Sequence, residues 1–267
     1  MYETVWTRSM SRKLTLAATA ALILASAGPT LSQDAAHGSR AATSQERAAY
    51  DRADPLARSV FWGREAELNP NDPVAGVRLA QALRELGRHD RAAEAAQSVL
   101  MVQPGNVDAM LEVGRAHIAR GQAFYGIQTL EQARDAAPGD WRPLSLLGVA
   151  YQQVRRAADA QAAWTAALSL SPDNPTILSN MAMAMVANGD SAGAEPLLRR
   201  AVAQPGASLQ MRQNLALVLG LNGNLAEAEQ ILRRHLPPEQ ADRNLNWLGN
   251  EAARPTGART WESLSGR

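Results

Sequence analysis

From Pro55 onward, apolar and small residues recur at helical spacing, and the recurrence is cut by turns at a fixed interval. Pro70, Pro104, Pro138 and Pro172 stand 34, 34 and 34 residues apart. Each opens a turn: Pro70-Asn71-Asp72, Pro104-Gly105-Asn106, Pro138-Gly139-Asp140 and Pro172-Asp173-Asn174. The trios end on Asp72, Asn106, Asp140 and Asn174, and Ser208 follows one period later. All five are residue types whose side-chain oxygens accept from the free N–H groups of a helix's first turn. Pro73 and Pro175 then fall at the first helical position, where a missing N–H costs nothing. A helix therefore starts after each trio. Its interior carries Leu79-Ala80, Val113-Gly114, Leu147-Gly148, Met181-Ala182 and Leu215-Ala216 in equivalent places. A turn follows at Gly87, Gly121, Gly189 and Gly223, with Arg155 in the third of these five periods. A second helix carries Ala92, Gly126, Ala160, Ala194 and Ala228. Leu130, Trp164, Leu198 and Leu232 sit four residues further on, with Ala96 the small exception. Small residues let two helices approach, and the large ones fill the space between layers. The pattern predicts an all-α chain of helix pairs.

The ends of the chain break the pattern. Arg8, Arg12 and Lys13 precede an uncharged apolar-and-small run, Leu14 to Ala27, that is shorter than the roughly 20 residues of a membrane-spanning helix. With Ala25 and Ala27 as an A-x-A site, residues 1–27 read as a secretory signal peptide. Cleavage after Ser32 is an alternative site, a buried N-terminal helix the structural alternative, and Met10 a second candidate start. Residues 28–54, polar and alanine-rich, read as a flexible tether or, from Gln33 on, a weak helix. Residues 55–72 read as an unpaired half repeat. After five repeats over 73–236, residues 237–250 read as a capping helix with Ala241, Leu245, Trp247 and Leu248. Residues 251–267 read as a loose tail holding Trp261.

Composition narrows the chemistry. Alanine supplies 52 of the 267 residues and aromatics 4%, which favours helix over strand. The net charge of +1 argues against a nucleic-acid binder, which shows a basic face. Without Cys the chain has no disulfide, thiolate zinc site, cysteine nucleophile or N-terminal lipid anchor through Cys. No Gly-Lys-Ser/Thr phosphate loop, His-Glu-x-x-His pair or Gly-x-Ser-x-Gly elbow occurs. His37, His89, His117 and His235 are far apart in the repeat register, and His117 reads as a half-buried packing residue. Glu94, Glu131, Glu227 and Glu229, beside arginines such as Arg91 and Arg134, read as solvated ion pairs. Neither catalysis nor a cofactor or metal is expected.

The period and its small–small–Pro signature resemble the tetratricopeptide repeat (TPR) family over about residues 73–236. The resemblance implies a right-handed α-solenoid of about five helix-turn-helix repeats with a C-terminal capping helix. It also implies a concave wall built from the first helices, where proteins of this family hold partners. Carried onto this chain, the N-terminal end of that wall holds Arg78, Arg84, Glu85, Glu112 and Arg115. Further along come Leu111, Ile118, Leu146, Val149, Met183, Val186, Leu217 and Leu221, with Asn180 and Asn214 among them. Exposed apolar side chains in such a row would make a partner-binding groove, and the Asn amides would bond a peptide backbone. The expected groove is Leu111, Arg115, Ile118, Leu146, Val149, Asn180, Met183, Val186, Asn214 and Leu217. The alternative is that these residues pack between neighbouring first helices. The carboxylate clamp of chaperone-tail receptors is disfavoured, because its places hold Val77, Gln81, Glu112, Arg142 and Leu146, of which only Arg142 fits.

A narrower resemblance lies at the C-terminal end. Gln213-Asn214-Leu215-Ala216-Leu217-Val218-Leu219-Gly220-Leu221 runs into Gly223 and Ala226-Glu227-Ala228-Glu229. Leu236-Pro237-Pro238, Ala241, Asn244 and Trp247-Leu248 follow. This is similar to the TadD repeat proteins of Flp (Tad) pilus assembly. The resemblance implies a periplasmic adaptor whose protein partner is the pilus secretin or another Tad secretion component. Members are often lipoproteins, whereas this chain would reach the outer membrane only through protein contacts. A general envelope-assembly scaffold and a cytochrome-maturation-type TPR chaperone are the alternative readings. Export is directly testable. N-terminal sequencing of the mature protein is expected to begin at Gly28 or Gln33, and recovery of the intact chain from the cytosol alone would refute the leader.

Overall fold

The structure, a computed structural model, describes residues 40–252. The leader, the first part of the tether and most of the tail, including Trp261, lie outside the described residues. Among these there are thirteen helices and no strand. They fall into two compact units that divide between Ala136 and Ala137.

The N-terminal unit contains α1 (Ser44–Tyr50), α2 (Pro55–Leu68), α3 (Pro73–Glu85), α4 (His89–Val102), α5 (Val107–Ala119) and α6 (Ala123–Ala136). The C-terminal unit contains α7 (Trp141–Gln153), α8 (Ala157–Leu170), α9 (Pro175–Ala187), α10 (Ser191–Val202), α11 (Leu209–Leu221), α12 (Leu225–His235) and α13 (Pro238–Ala252). In each unit consecutive helices pack on one another, and so do successive first helices: α3 on α5, and α9 on both α7 and α11.

The N-caps form as the residue types require. Asp72 accepts from the N–H groups of Val74 (2.9 Å) and Ala75 (3.3 Å). Asn106 accepts from Ala109 at 2.9 Å, Asp140 from Arg142 at 2.8 Å, Asn174 from Thr176 at 3.0 Å and Ser208 from Met211 at 3.3 Å. The opposite end of each first helix closes with paired Schellman bonds. In α3 the Gly87 N–H donates to Arg84 and the Arg88 N–H to Leu83. α7 closes identically, with Arg155 donating to Gln152 and Arg156 to Tyr151. This turn needs a positive φ, which Gly87, Gly121, Gly189 and Gly223 adopt at +72° to +89°; Arg155 is forced to +62° in the same place.

Helix crossings follow the small–large rule. A Cβ added to Gly148 would collide with the Trp164 indole, and one on Gly114 with Leu130. Trp164 lies 2% exposed and donates from its indole nitrogen to the Ser145 carbonyl at 3.1 Å. Glycine on α7 thus admits the largest side chain of any repeat on α8. At the other end of the C-terminal unit, α13 closes the core. Ala241 and Leu248 are fully buried in one apolar cluster with Ala216, Leu219 and Leu232. The expected cap is therefore present, displaced slightly to Pro238–Ala252, so the first two residues of the expected tail are helical.

Within residues 40–54 the weak-helix alternative holds at Ser44–Tyr50, which corrects the flexible tether there and, with it, the unpaired half repeat. α1 lies one period before the interior of α3, and α2 one period before α4, so the two form a shortened helix pair. Thr43 and Glu46 make a reciprocal capping box. The Ala42 N–H donates to both carboxylate oxygens of Glu65 at 3.0 and 3.1 Å. Arg47 bridges Glu65 and Asp72, each at 2.7 Å, and Tyr50 stacks on Phe61 at 3.9 Å. Polarity hid this helix, because its docking is ionic and aromatic and leaves no apolar stripe in the sequence.

Two substitutions test this packing. Gly148→Leu is expected to overpack the crossing against Trp164 and lower stability by about 1–3 kcal/mol in thermal melts. Arg155→Gly removes a left-handed side-chain clash and is expected to raise stability by about 1 kcal/mol in urea titrations; no gain would show that the turn is unstrained.

Candidate functional site

The first helices supply the wall on which a partner was expected, and their own packing governs what it exposes. Because successive first helices pack directly on one another, the apolar positions between them close. Leu111, Ile118, Val149, Met183, Val186 and Leu217 are all buried. Met183, Val186 and Leu217 belong to the same apolar cluster as Leu198 and Leu248. The expected open apolar patch is thus replaced by core. Of the ten expected groove residues, Arg115, Leu146 and Asn180 are half-buried, and the remaining seven, Asn214 included, are buried.

The two asparagines are also committed. The Asn180 amide donates to the Ser145 hydroxyl at 3.4 Å, and the Asn214 amide to the Ser179 hydroxyl at 3.3 Å. Each bond joins one first helix to the one before it, so the pair forms a polar rung repeated every 34 residues. Asn214, 5% exposed, is structural. Half-buried Asn180 keeps an accessible edge with its carbonyl oxygen unspent. Sequence reasoning missed Ser145 and Ser179; their signal is a serine recurring at one period directly before the Leu146 and Asn180 position.

In the N-terminal unit the equivalent position is Glu112, which is 1% exposed. Arg84 donates to it at 2.8 Å and Arg115 at 2.6 Å, so the buried carboxylate is held by two guanidinium groups. This satisfies a charge that would otherwise be costly to bury. Arg84 and Arg115 are therefore drawn into the wall's own structure. Arg58 pairs with Glu85 in the same unit.

His117 is half-buried against Tyr125, with ring centroids 6.2 Å apart, and its Nδ1 is buried without a partner. Burial, with Arg120 nearby, pushes its imidazole below the ordinary histidine value. Among the described residues no group of three His, Asp or Glu side chains is placed to hold a metal ion, and no helix is long and apolar enough to cross a membrane. Arg199 pairs with Glu227 through two bonds of 2.7 and 2.8 Å, and Arg233 with Glu229 at 2.6 Å. These are the solvated pairs expected on second helices, where solvent screening leaves them little net effect on stability. Arg134 pairs with Asp135, and no ion pair joins Arg91 to Glu94 among the described residues. The first turn of α6 also presents Phe124 and Tyr125, 72% and 68% exposed and edge-to-face at 5.8 Å. No feature of the periodic pattern marks that pair.

Two tetratricopeptide repeat family models match the chain, one over residues 83–148 and the other over 145–208 and 179–244. Together they span more than half of the sequence, and the chain belongs to the tetratricopeptide repeat family. No curated protein matches it by sequence. Among solved structures it is similar to TTC0263, a thermophilic TPR protein of Thermus thermophilus. That match has 22% identity and a TM-score of 0.58, covering 66% of this chain and 94% of the other. It is also similar to MamA from Desulfovibrio magneticus, at 23% identity and a TM-score of 0.50, covering 60% and 90%. Both likenesses concern the fold.

Charge introduced along the buried wall distinguishes core from groove. Val149→Asp and Met183→Asp, made singly, are each expected to cost at least about 3 kcal/mol, as an unpaired buried charge does. Gln161→Asp, on the exposed face of α8, is expected to change stability by less than about 0.5 kcal/mol. Unchanged melting of the first two would restore the open groove.

Proposed function

We propose that this chain is a periplasmic adaptor that binds a protein component of a Flp (Tad) pilus secretion system and assists assembly of its outer-membrane secretin. The general part of this reading, an interaction scaffold built of TPR units, follows from the family. The particular part rests on the segment Gln213–Leu248, whose sequence is similar to the TadD proteins. One observation carries it. The residues of that segment fold together as the closed end of the C-terminal unit, with Gly220 lying directly under Leu248 and Ala241 fully buried. The similarity therefore falls on a single packed element, not on residues dispersed through the repeats.

Export is supported by the basic start, the short apolar run and the A-x-A site. Of the expected groove residues in the C-terminal unit, Leu146 and Asn180 are the ones left accessible to a partner segment. A tagged mature protein incubated with envelope extract from its own cell is expected to retain the pilus secretin. Deleting the gene is expected to reduce the assembled secretin multimer while leaving its monomer. Retention of no Tad component, with normal secretin multimers in the deletion strain, would overturn the pilus reading.

A further inference from the structure

The N-terminal unit contains a groove of about 690 Å³ that is separate from the wall of first helices. Its sides come from the second helices α2 and α4 and its floor from α3. Val60, Leu79, Leu83 and Val99 give it an apolar lining, and Gly63 and Gly76 leave that lining without side chains at two points. Its volume lies within the roughly 300–1,000 Å³ of sites that enclose a ligand. Ala96, one residue beyond lining residue Ala95, is the small exception at the position where later repeats carry Leu130, Trp164, Leu198 and Leu232.

Three arginines line this space: Arg88, Arg91 and Arg64, the last of which also lines a smaller pocket beside Glu46 and Tyr50. None has an ion pair among the described residues, although most other described arginines of the unit do. Arg64 Nη2 is buried and has no hydrogen-bond partner. A buried guanidinium donor without an acceptor is costly to fold around unless something supplies one. Two carboxylates also line the groove. Asp72 is spent, one oxygen capping α3 and the other on Arg47 at 2.7 Å. Glu67 is exposed and, among the described residues lining the groove, is the single unspent acid against three unspent cations.

We infer that this groove is a second docking site and that it takes a short acidic peptide segment carrying apolar side chains. Carboxylates match the planar donor fork of arginine. The apolar floor takes side chains that a bare anion or a sugar–phosphate backbone does not have. Charge complementarity thus selects the acid, and the floor selects a peptide.

The test uses the full chain and a fluorescein-labelled peptide of alternating Leu and Glu, read by fluorescence anisotropy. Two controls replace Glu by Lys and Leu by Ser. The acidic apolar peptide is expected to bind saturably in low salt and to weaken as NaCl rises to about 0.5 M, where charges are screened beyond a few ångströms. Arg88→Glu with Arg91→Glu is expected to weaken it at least about tenfold, because like charges then face each other. Both positions are exposed and unpaired at the start of α4, where acidic residues suit the helix dipole, so the variant keeps its melting temperature. Arg64→Met is expected to weaken binding as well. Absence of saturable binding by the parent, binding unchanged in the double variant, or equal binding of either control overturns the site. None of these outcomes bears on the pilus reading, whose test is secretin assembly.

Discussion

The crossing of paired helices through a small residue is the constraint on which the rest depends. Two helices close enough to share an apolar core need a position where one contributes almost no side chain, and the partner's bulk must then match the space. Gly148 with Trp164 and Gly114 with Leu130 meet this condition with the largest disparity. Ala182 and Ala216 share a core with Leu198 and Leu232 in the same way. Where the partner is small instead, Ala80 and Ala96 pack with Val113 of the next first helix. Volume matching at one position per repeat thus sets how closely each helix pair packs.

The two ends of the described chain are closed by different physics. At the C-terminal end α13 lays Ala241 and Leu248 over an apolar face, the ordinary way to terminate a stack of repeats. At the N-terminal end α1 contributes no buried residue at all. It is held by Arg47 between Glu65 and Asp72, by a backbone N–H on Glu65 and by an aromatic stack. Glu65 stands where the following repeats carry Val99 and Ala133, so an apolar contact has been exchanged for a buried carboxylate. That carboxylate demands donors from outside α2, and α1 supplies them. The exchange fixes one geometry for α1, since hydrogen bonds are directional where apolar contact is not.

The wall of first helices shows how a repeat converts apparent surface into interior. Residues at wall positions face the neighbouring first helix as much as they face a partner, and α7, α9 and α11 pack closely enough to cover them. What stays reachable is polar or marginal: Arg115, Leu146 and the edge of Asn180. The serine–asparagine rungs give this wall a fixed register without a bound ligand. The buried apolar positions of these first helices therefore form no continuous open trough.

The sequence by itself determined the helix pairs, their period, their caps and the crossing points. All of these are local or strictly periodic: a proline and an Asn or Asp fix a helix start, a glycine fixes the turn, and a small residue recurs where helices cross. Even the exception was visible, because Arg155 stands where the other four full repeats have glycine, and its backbone adopts the glycine conformation because the paired bonds to Gln152 and Tyr151 demand it. Tertiary structure alone decided three things. It decided that Val149, Met183 and Leu217 are interior, since one pattern of apolar residues serves a groove and a helix–helix interface equally well. It decided that Ser44–Tyr50 docks, since ion pairs across 18 and 25 residues leave no periodic trace. It also decided that Arg64, Arg88 and Arg91 line one groove with more cations than unspent acids, since which charges meet depends on how α2, α3 and α4 are brought side by side.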